Sequence, residues 1–246
     1  MVVAVVLSVL GCLLVRRKVP IETLRGGETA VAAILGAVGT LFAVLLAFTI
    51  VMVWDHFANS ADAVEAEATH IGDLSRLAKS FEPADEQRIR RELIKYITTV
   101  VRDEWPAMAK GHDDRRAWQE MTQLWIAYRG ITPRDQAVQV VYAESMTHLT
   151  IISDARRKRL HALHDDVPGL MWIALIAGGV LVVGIACLLA PQKNAVHVAL
   201  VGTLAALITL NLFVIYELDN PFRGWPRIGA EGLQQELRRI QSSATE

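Results

Sequence analysis

The chain has 246 residues, 52% of them hydrophobic, a mean hydropathy of +0.31 and a formal net charge of −1. That balance is too apolar for an ordinary soluble domain and too neutral to draw nucleic acid by bulk electrostatics. The two cysteines, Cys12 and Cys187, fall inside apolar runs and read as small packing residues, so neither a disulfide framework nor a metal pair is expected.

Val2 to Val15 is a short apolar run with no charge before it and Arg16, Arg17 and Lys18 behind it. That order fits a short span with a basic anchor better than a cleaved signal, which needs a charged start and a small-residue cleavage site. Thr29 to Trp54 is apolar throughout and contains no charged residue. About 20 apolar residues at 1.5 Å each cross the roughly 30 Å hydrocarbon core of a bilayer, so this run predicts a transmembrane helix. Gly36, Thr40, Ala43 and Ala47 form a small-residue stripe on it, suited to close helix packing. Phe42, Thr49, Val53 and His56 lie largely on other faces and are the candidate pore-lining residues if the helix faces an oligomeric axis.

No breaker follows Trp54 until Pro83. Phe57, Ala61, Val64, Ala68, Ile71, Leu74, Ala78 and Phe81 recur at steps of three and four, which extends the second span out of the membrane as one helix. Asp62, Glu65, Glu67 and Asp73 are expected mostly off that stripe. Pro83 opens the next helix, with Asp85 and Glu86 in its first turn. Its apolar face runs from Ile89 to Val101 and ends near Glu104-Trp105-Pro106. Gly111 marks a loop. Trp118, Met121, Leu124, Trp125 and Tyr128 predict a third helix stopped by Gly130, and Thr132-Pro133 a fourth that runs through Arg156, Arg157, Lys158 and Arg159 towards Pro168.

Gly169 to Ala190 and Ala195 to Tyr216 are each long enough to span, and the few residues between them make a tight hairpin. No alternating strand pattern occurs. The expected fold is all-α: four transmembrane helices, with a helical extramembrane domain inserted between the second and third. The expected boundaries are 1–54, 55–167, 168–216 and a tail helix in 217–246. Four spans place both termini and the middle domain on one side. Basic residues near the two membrane faces almost balance, and the reading leans to a cytoplasmic middle domain because no disulfide or secretory signal is apparent.

Nucleophile-elbow, phosphate-loop, zincin and Cys-x-x-Cys signatures are missing from the sequence, so an enzyme is not expected. Histidines offer little more. His56 and His70 are about 21 Å apart along one helix. His161 and His164 beside Asp165 and Asp166 read as a polar helix end. No metal or cofactor is expected. The spans lack ionisable residues apart from His197, which argues against a proton-coupled transporter and fits a passive pore gated by apolar constriction. Asn211 reads as an interhelical hydrogen-bonding group. Arg156, Arg157, Lys158 and Arg159 are the candidate contacts for lipid headgroups or anions.

Several motifs occur in order along almost the whole chain: FAVLLAFTIVMVWDHFANSADAVEAEATHIGDLSRLA, YITTVVRDEWPAM, RRKRLHALHDDVPGLMWIAL and LDNPFRGWPRIGAEGLQQEL. The distinctive elements are Glu104, Trp105 and Pro106, then Pro168 with Trp172, then Pro221, Phe222 and Gly224. Together they resemble the bestrophin-like family of bacterial membrane proteins. The resemblance implies a remote likeness to bestrophins, which are pentameric anion channels whose second span lines the pore. The aromatic neck and the acidic calcium clasp of those channels are not reproduced, so calcium gating is not carried over. The expectation is a homo-oligomeric, anion-permeable channel-like pore lined by the second span, in the bacterial cytoplasmic (inner) membrane, with lipid and an inorganic ion as partners. The alternative is a non-conducting scaffold or sensor whose helical domain binds a partner.

Overall fold

The computed structural model describes residues 28–189 and 194–242. The expected first span, its basic anchor, Cys12 and the 191–193 part of the predicted hairpin turn lie outside them.

The described residues are helical, with no strand among them. Helix α1 (Glu28–Ala78) is a single helix of 51 residues. It contains no proline, and three of its hydroxyls are satisfied by its own backbone. Thr40 donates to the Gly36 carbonyl, Thr49 to Leu45 and Ser60 to His56, each at 2.8 Å. A polar side chain tied to the carbonyl four residues back costs little in an apolar setting.

Helix α2 (Pro83–Thr99) begins on its proline, with Asp85 and Glu86 in the first turn. It does not simply stop. It widens into a π-helical segment, Val100–Glu104, and tightens again into one α turn, Trp105–Met108. A proline inside a helix clashes with the carbonyl four residues back, and the wider turn ahead of Pro106 makes room for it. Gly111 follows with φ +82, a left-handed conformation natural to glycine.

Helix α3 (Arg115–Arg129) starts where the Asp114 carboxylate accepts from Arg116 N at 2.7 Å. Helix α4 (Gln136–His161) starts where Asp135 accepts from Val138 N at 2.8 Å. Both are side-chain caps that occupy otherwise orphaned N–H groups. The observed start of α4 falls beyond Thr132-Pro133, and its end falls at His161, short of Pro168. Helices α5 (Gly169–Cys187), α6 (Asn194–Leu218) and α7 (Glu231–Ser242) complete the order.

By contacts the chain divides into two compact units, Met1–Asp55 with Val167–Asp219, and His56–Asp166 with Asn220–Glu246. In the first unit α1 packs on α5 and α6. Phe42 seats against Gly178 and Gly179 beside Val182 and Ile208. Trp172 meets Tyr216 edge-on at 6.4 Å, and the Asp219 carboxylate accepts from Val167 N at 2.9 Å. Among the described residues three helices, α1, α5 and α6, are long and apolar enough to cross a membrane. Much of their apolar surface is exposed, including Phe48, Ile173, Val180, Leu200 and Phe213. Apolar area of this extent is unfavourable in water and natural against lipid.

In the second unit Ile71, Leu74, Ile89, Leu93, Ile97, Leu124, Leu149 and Ile152 form one core. The C-terminal segment is part of it: Leu233 and Ile240 of α7 are buried there, and Arg90 donates to the Ile240 carbonyl at 2.7 Å.

Candidate functional site

Helix α1 has two unlike sides within the first unit. Phe42, Thr49 and Val53 are buried, turned into the chain's own packing, and Thr49 is further closed off by its bond to Leu45. None of these three presents its side chain to an axis outside the protomer. These three expected pore-lining residues are thus covered by the protomer's own packing. The opposite side carries Leu41, Val44, Phe48, Val51 and Met52, all exposed. Leu41, Val44, Phe48 and Val51 follow steps of three and four, so they form one stripe. Gly36, Thr40, Ala43 and Ala47 are exposed too, next to that stripe. The sequence could not separate these sides, because both are uniformly apolar.

His56 lies in the second unit, partly exposed, with Nε2 3.6 Å from Asp165. It lines an open groove of about 710 Å³ between α1 and α4, together with Asn59, Asp62, Asp154, Lys158 and His161. Ala63, Ala66, Ile151, Ala155 and Ala162 line it too, so the groove mixes polar and apolar side chains.

The basic cluster splits in two. Arg157 and Lys158 are exposed, and Arg157 pairs with Asp154 at 2.5 Å. Arg156 and Arg159 are buried at 1% and 0% exposure, and no headgroup or free anion reaches them from solvent. The helical period of α4 explains the split, since residues three apart share a face and the two between them do not.

Both buried guanidiniums meet carboxylates from other helices. Arg159 donates to Glu67 of α1 through Nε at 2.8 Å and Nη2 at 3.2 Å, and to Glu104 at 2.8 Å. Arg156 also binds Glu104, and its guanidinium lies over the Trp118 ring at 4.3 Å. Trp105 stacks under Arg159 at 4.7 Å. Tyr96 donates its hydroxyl to Glu67 at 2.5 Å. Two carboxylates and two guanidiniums leave the cluster neutral, which makes their burial tolerable.

Burial by itself would lower the Arg159 pKa, but the Glu67 and Glu104 carboxylates outweigh it and hold the guanidinium charged. Burial pushes the Tyr96 hydroxyl well above its usual value, and the charge on Glu67 adds to the effect. This is a positioning network that locks α1, α2 and α4 together, not a reaction centre. Glu67 had been expected off the packed stripe. It is fully buried; it stands three residues after Val64 and four before Ile71, on the packed face, whereas Glu65 is turned away and exposed.

The motif residues now have structural roles. Glu104 and Trp105 are the network's centre, and Trp105 also meets Phe222 edge-on at 6.1 Å. Pro106 sits behind the widened turn. Pro168 precedes α5, and its carbonyl accepts from Met171 at 2.8 Å and Trp172 at 3.3 Å. Pro221 accepts from Ile228 N at 2.8 Å, and Gly224 N donates to Asn220 at 2.8 Å. Asn211, expected to bridge helices, donates to Leu207 of its own helix at 2.9 Å.

A family model described as the Bestrophin-like domain matches residues 2–233. The fold is similar to that of solved bacterial bestrophin homologues. Two variants of one from Klebsiella pneumoniae align at TM-scores of 0.75 and 0.74, each at 13% identity over 100% of this chain and 99% of theirs. A structure described as a membrane protein aligns at 0.74 and 13% identity, over 100% of this chain and 98% of its own. No curated protein sequence matches the chain.

Proposed function

This chain belongs to the bestrophin-like family, and from that premise we propose that it forms a homo-oligomeric, ion-permeable pore in a membrane, lined by α1. The observation that carries the reading is the uncovered side of α1. Leu41, Val44, Phe48 and Val51 make an exposed apolar stripe with no ionisable group, flanked by the exposed small residues Gly36, Thr40, Ala43 and Ala47. Small residues let helices of neighbouring copies approach closely, and an apolar stripe turned to a shared axis can gate by dewetting. In this arrangement Phe48 and Val51 take the constriction role that the spacing had assigned to Phe42, Thr49 and Val53. The reading adds a bacterial inner membrane, with the helical unit and both termini on the cytoplasmic side.

Anion permeability is what the family name suggests. The charges along α1 favour cations: past the apolar stripe the helix exposes Asp55, Asp62 and Glu65. Acids lining a mouth concentrate cations and repel anions.

Flux from proteoliposomes reconstituted with purified protein tests both points. Potassium and chloride release are followed separately, across voltage and pH. Potassium release supports the pore and the charge argument, and chloride release supports the pore with anion passage. Silence to both ions under all conditions removes the pore and leaves a non-conducting scaffold. A strict monomer in detergent would equally remove the shared axis.

A further inference from the structure

The helical unit contains a convergence of ligating atoms that the buried network does not use. His70 and Asp73 stand one turn apart on α1, and His148 faces them from α4. The His70 and His148 Nδ1 atoms point at one another at 2.7 Å. Asp73 Oδ2 lies 3.8 Å from His70 Nδ1 and 3.7 Å from His148 Nδ1. All three side chains are partly buried. Two imidazole nitrogens and a carboxylate oxygen, brought together from positions 78 residues apart, are a donor set that favours first-row transition metals, zinc above all.

The geometry supports the same reading. A triangle with these three sides has its centre about 2.0 Å from every corner. Zinc bonds to imidazole nitrogen run about 2.0–2.1 Å and to carboxylate oxygen about 2.0–2.2 Å. An ion seated there, or slightly above the plane towards solvent, meets all three ligands with little movement, and water completes its shell.

Two neighbours support the ligands. His148 Nε2 lies 3.3 Å from the Glu144 carboxylate. A proton held on Nε2 by that carboxylate leaves the Nδ1 lone pair free to bind an ion, the usual outer-shell arrangement of a metal-binding histidine. Arg76 binds the other Asp73 oxygen, Oδ1, so Oδ2 is the oxygen presented to the imidazoles.

We propose that His70, Asp73 and His148 form a mononuclear transition-metal site, best matched to zinc, that ties α1 to α4 within the helical unit. The proposal does not depend on whether the protein conducts.

The test uses the full-length protein in detergent, untagged and stripped with a chelator. Zinc is titrated by calorimetry and cobalt(II) by visible absorption. The expected result is one ion per chain, a rise in thermal midpoint with zinc, and cobalt bands that indicate nitrogen ligation. His148→Ala and Asp73→Asn should each weaken binding at least tenfold, and Glu144→Gln should weaken it about 10–100-fold. Circular dichroism and the metal-free melting curve check that each variant folds. A His161→Ala/His164→Ala variant, altered at the other histidine pair, should bind as the parent does. Absence of saturable one-to-one binding to the parent overturns the site. So does parental affinity in a folded His148→Ala variant; the imidazoles are then only hydrogen-bonded to each other.

Discussion

Arg159 and Glu67 are 92 positions apart and fully buried, and they meet through two hydrogen bonds of 2.8 and 3.2 Å. The pair joins α4 to α1 at a point where no water reaches either charge. Glu104 completes the balance by accepting from Arg159 and from Arg156.

Losses at two partners of this network should therefore not add. Arg159→Met leaves Glu67 and Glu104 with Arg156 as their one guanidinium and should destabilise by about 3–5 kcal/mol. Glu67→Gln combined with Arg159→Met should cost clearly less than the two single losses added together. Arg159→Lys should not rescue, because an ammonium cannot reproduce the forked contact. Equilibrium unfolding in detergent measures the parent and all four variants. Additive losses would mean the charges are not coupled.

Phe42 and Gly178 make a second complementary pair. A Cβ on residue 178 would lie 2.6 Å from Phe42 Cδ2. Gly178→Ala should destabilise by about 1–3 kcal/mol through overpacking. Phe42→Leu in the same chain should recover part of the loss, because the smaller side chain vacates the contested space. A thermal melt of the parent and the two variants decides it; Gly178→Ala melting like the parent would show that Phe42 does not hold that position.

The two faces of α1 should respond differently to the same substitution. Phe42→Ala empties a packed site and should cost about 3–5 kcal/mol. Phe48→Ala removes an exposed ring and should leave the melting temperature of the isolated protomer nearly unchanged, while raising ion leak if the exposed stripe constricts a pore. Leak identical to the parent in a folded, oligomeric Phe48→Ala protein would remove Phe48 from the constriction.

Tyr96 gives the helical unit an alkaline limit. Burial and the Glu67 charge raise its folded pKa, so the folded state keeps the proton after the unfolded chain has lost it. Its contribution is complete below the unfolded value of about 10 and declines as pH rises beyond it, by at most about 1.4 kcal/mol per pH unit. Burial also raises the Tyr128 pKa, against a smaller lowering by Ser145, so that residue adds a parallel decline. Tyr96→Phe should make the decline shallower without abolishing it. An unchanged slope above pH 10 in the denaturation profile would place the limit elsewhere.

Much of this architecture was legible before any coordinates. The uncharged run from Thr29 to Trp54 announces a span, the stripe from Phe57 to Phe81 carries the helix onward, and α1 runs from Glu28 to Ala78. Pro83 opens α2, its ring fixing the first-turn backbone, and Gly130 follows the last residue of α3. The candidate site was less legible. Phe42 and Phe48 sit in equally apolar surroundings in the sequence, yet one is buried and the other exposed. Arg156 to Arg159 read as one cluster, but the turn of the helix sends two inward and two outward. His148 attracts no notice in its own segment, because the partners that make it a ligand lie on another helix.

By itself, the sequence determined the local properties: which segments are helical, which are apolar enough for lipid, and where caps and prolines interrupt them. These follow from spacing along the chain, and spacing is a one-dimensional quantity. Only the tertiary structure decided which side of each helix is covered and which charges are paired. Those outcomes depend on residues tens of positions away, as Glu67 depends on Arg159, and a buried charge is stable only when that distant partner is in contact with it.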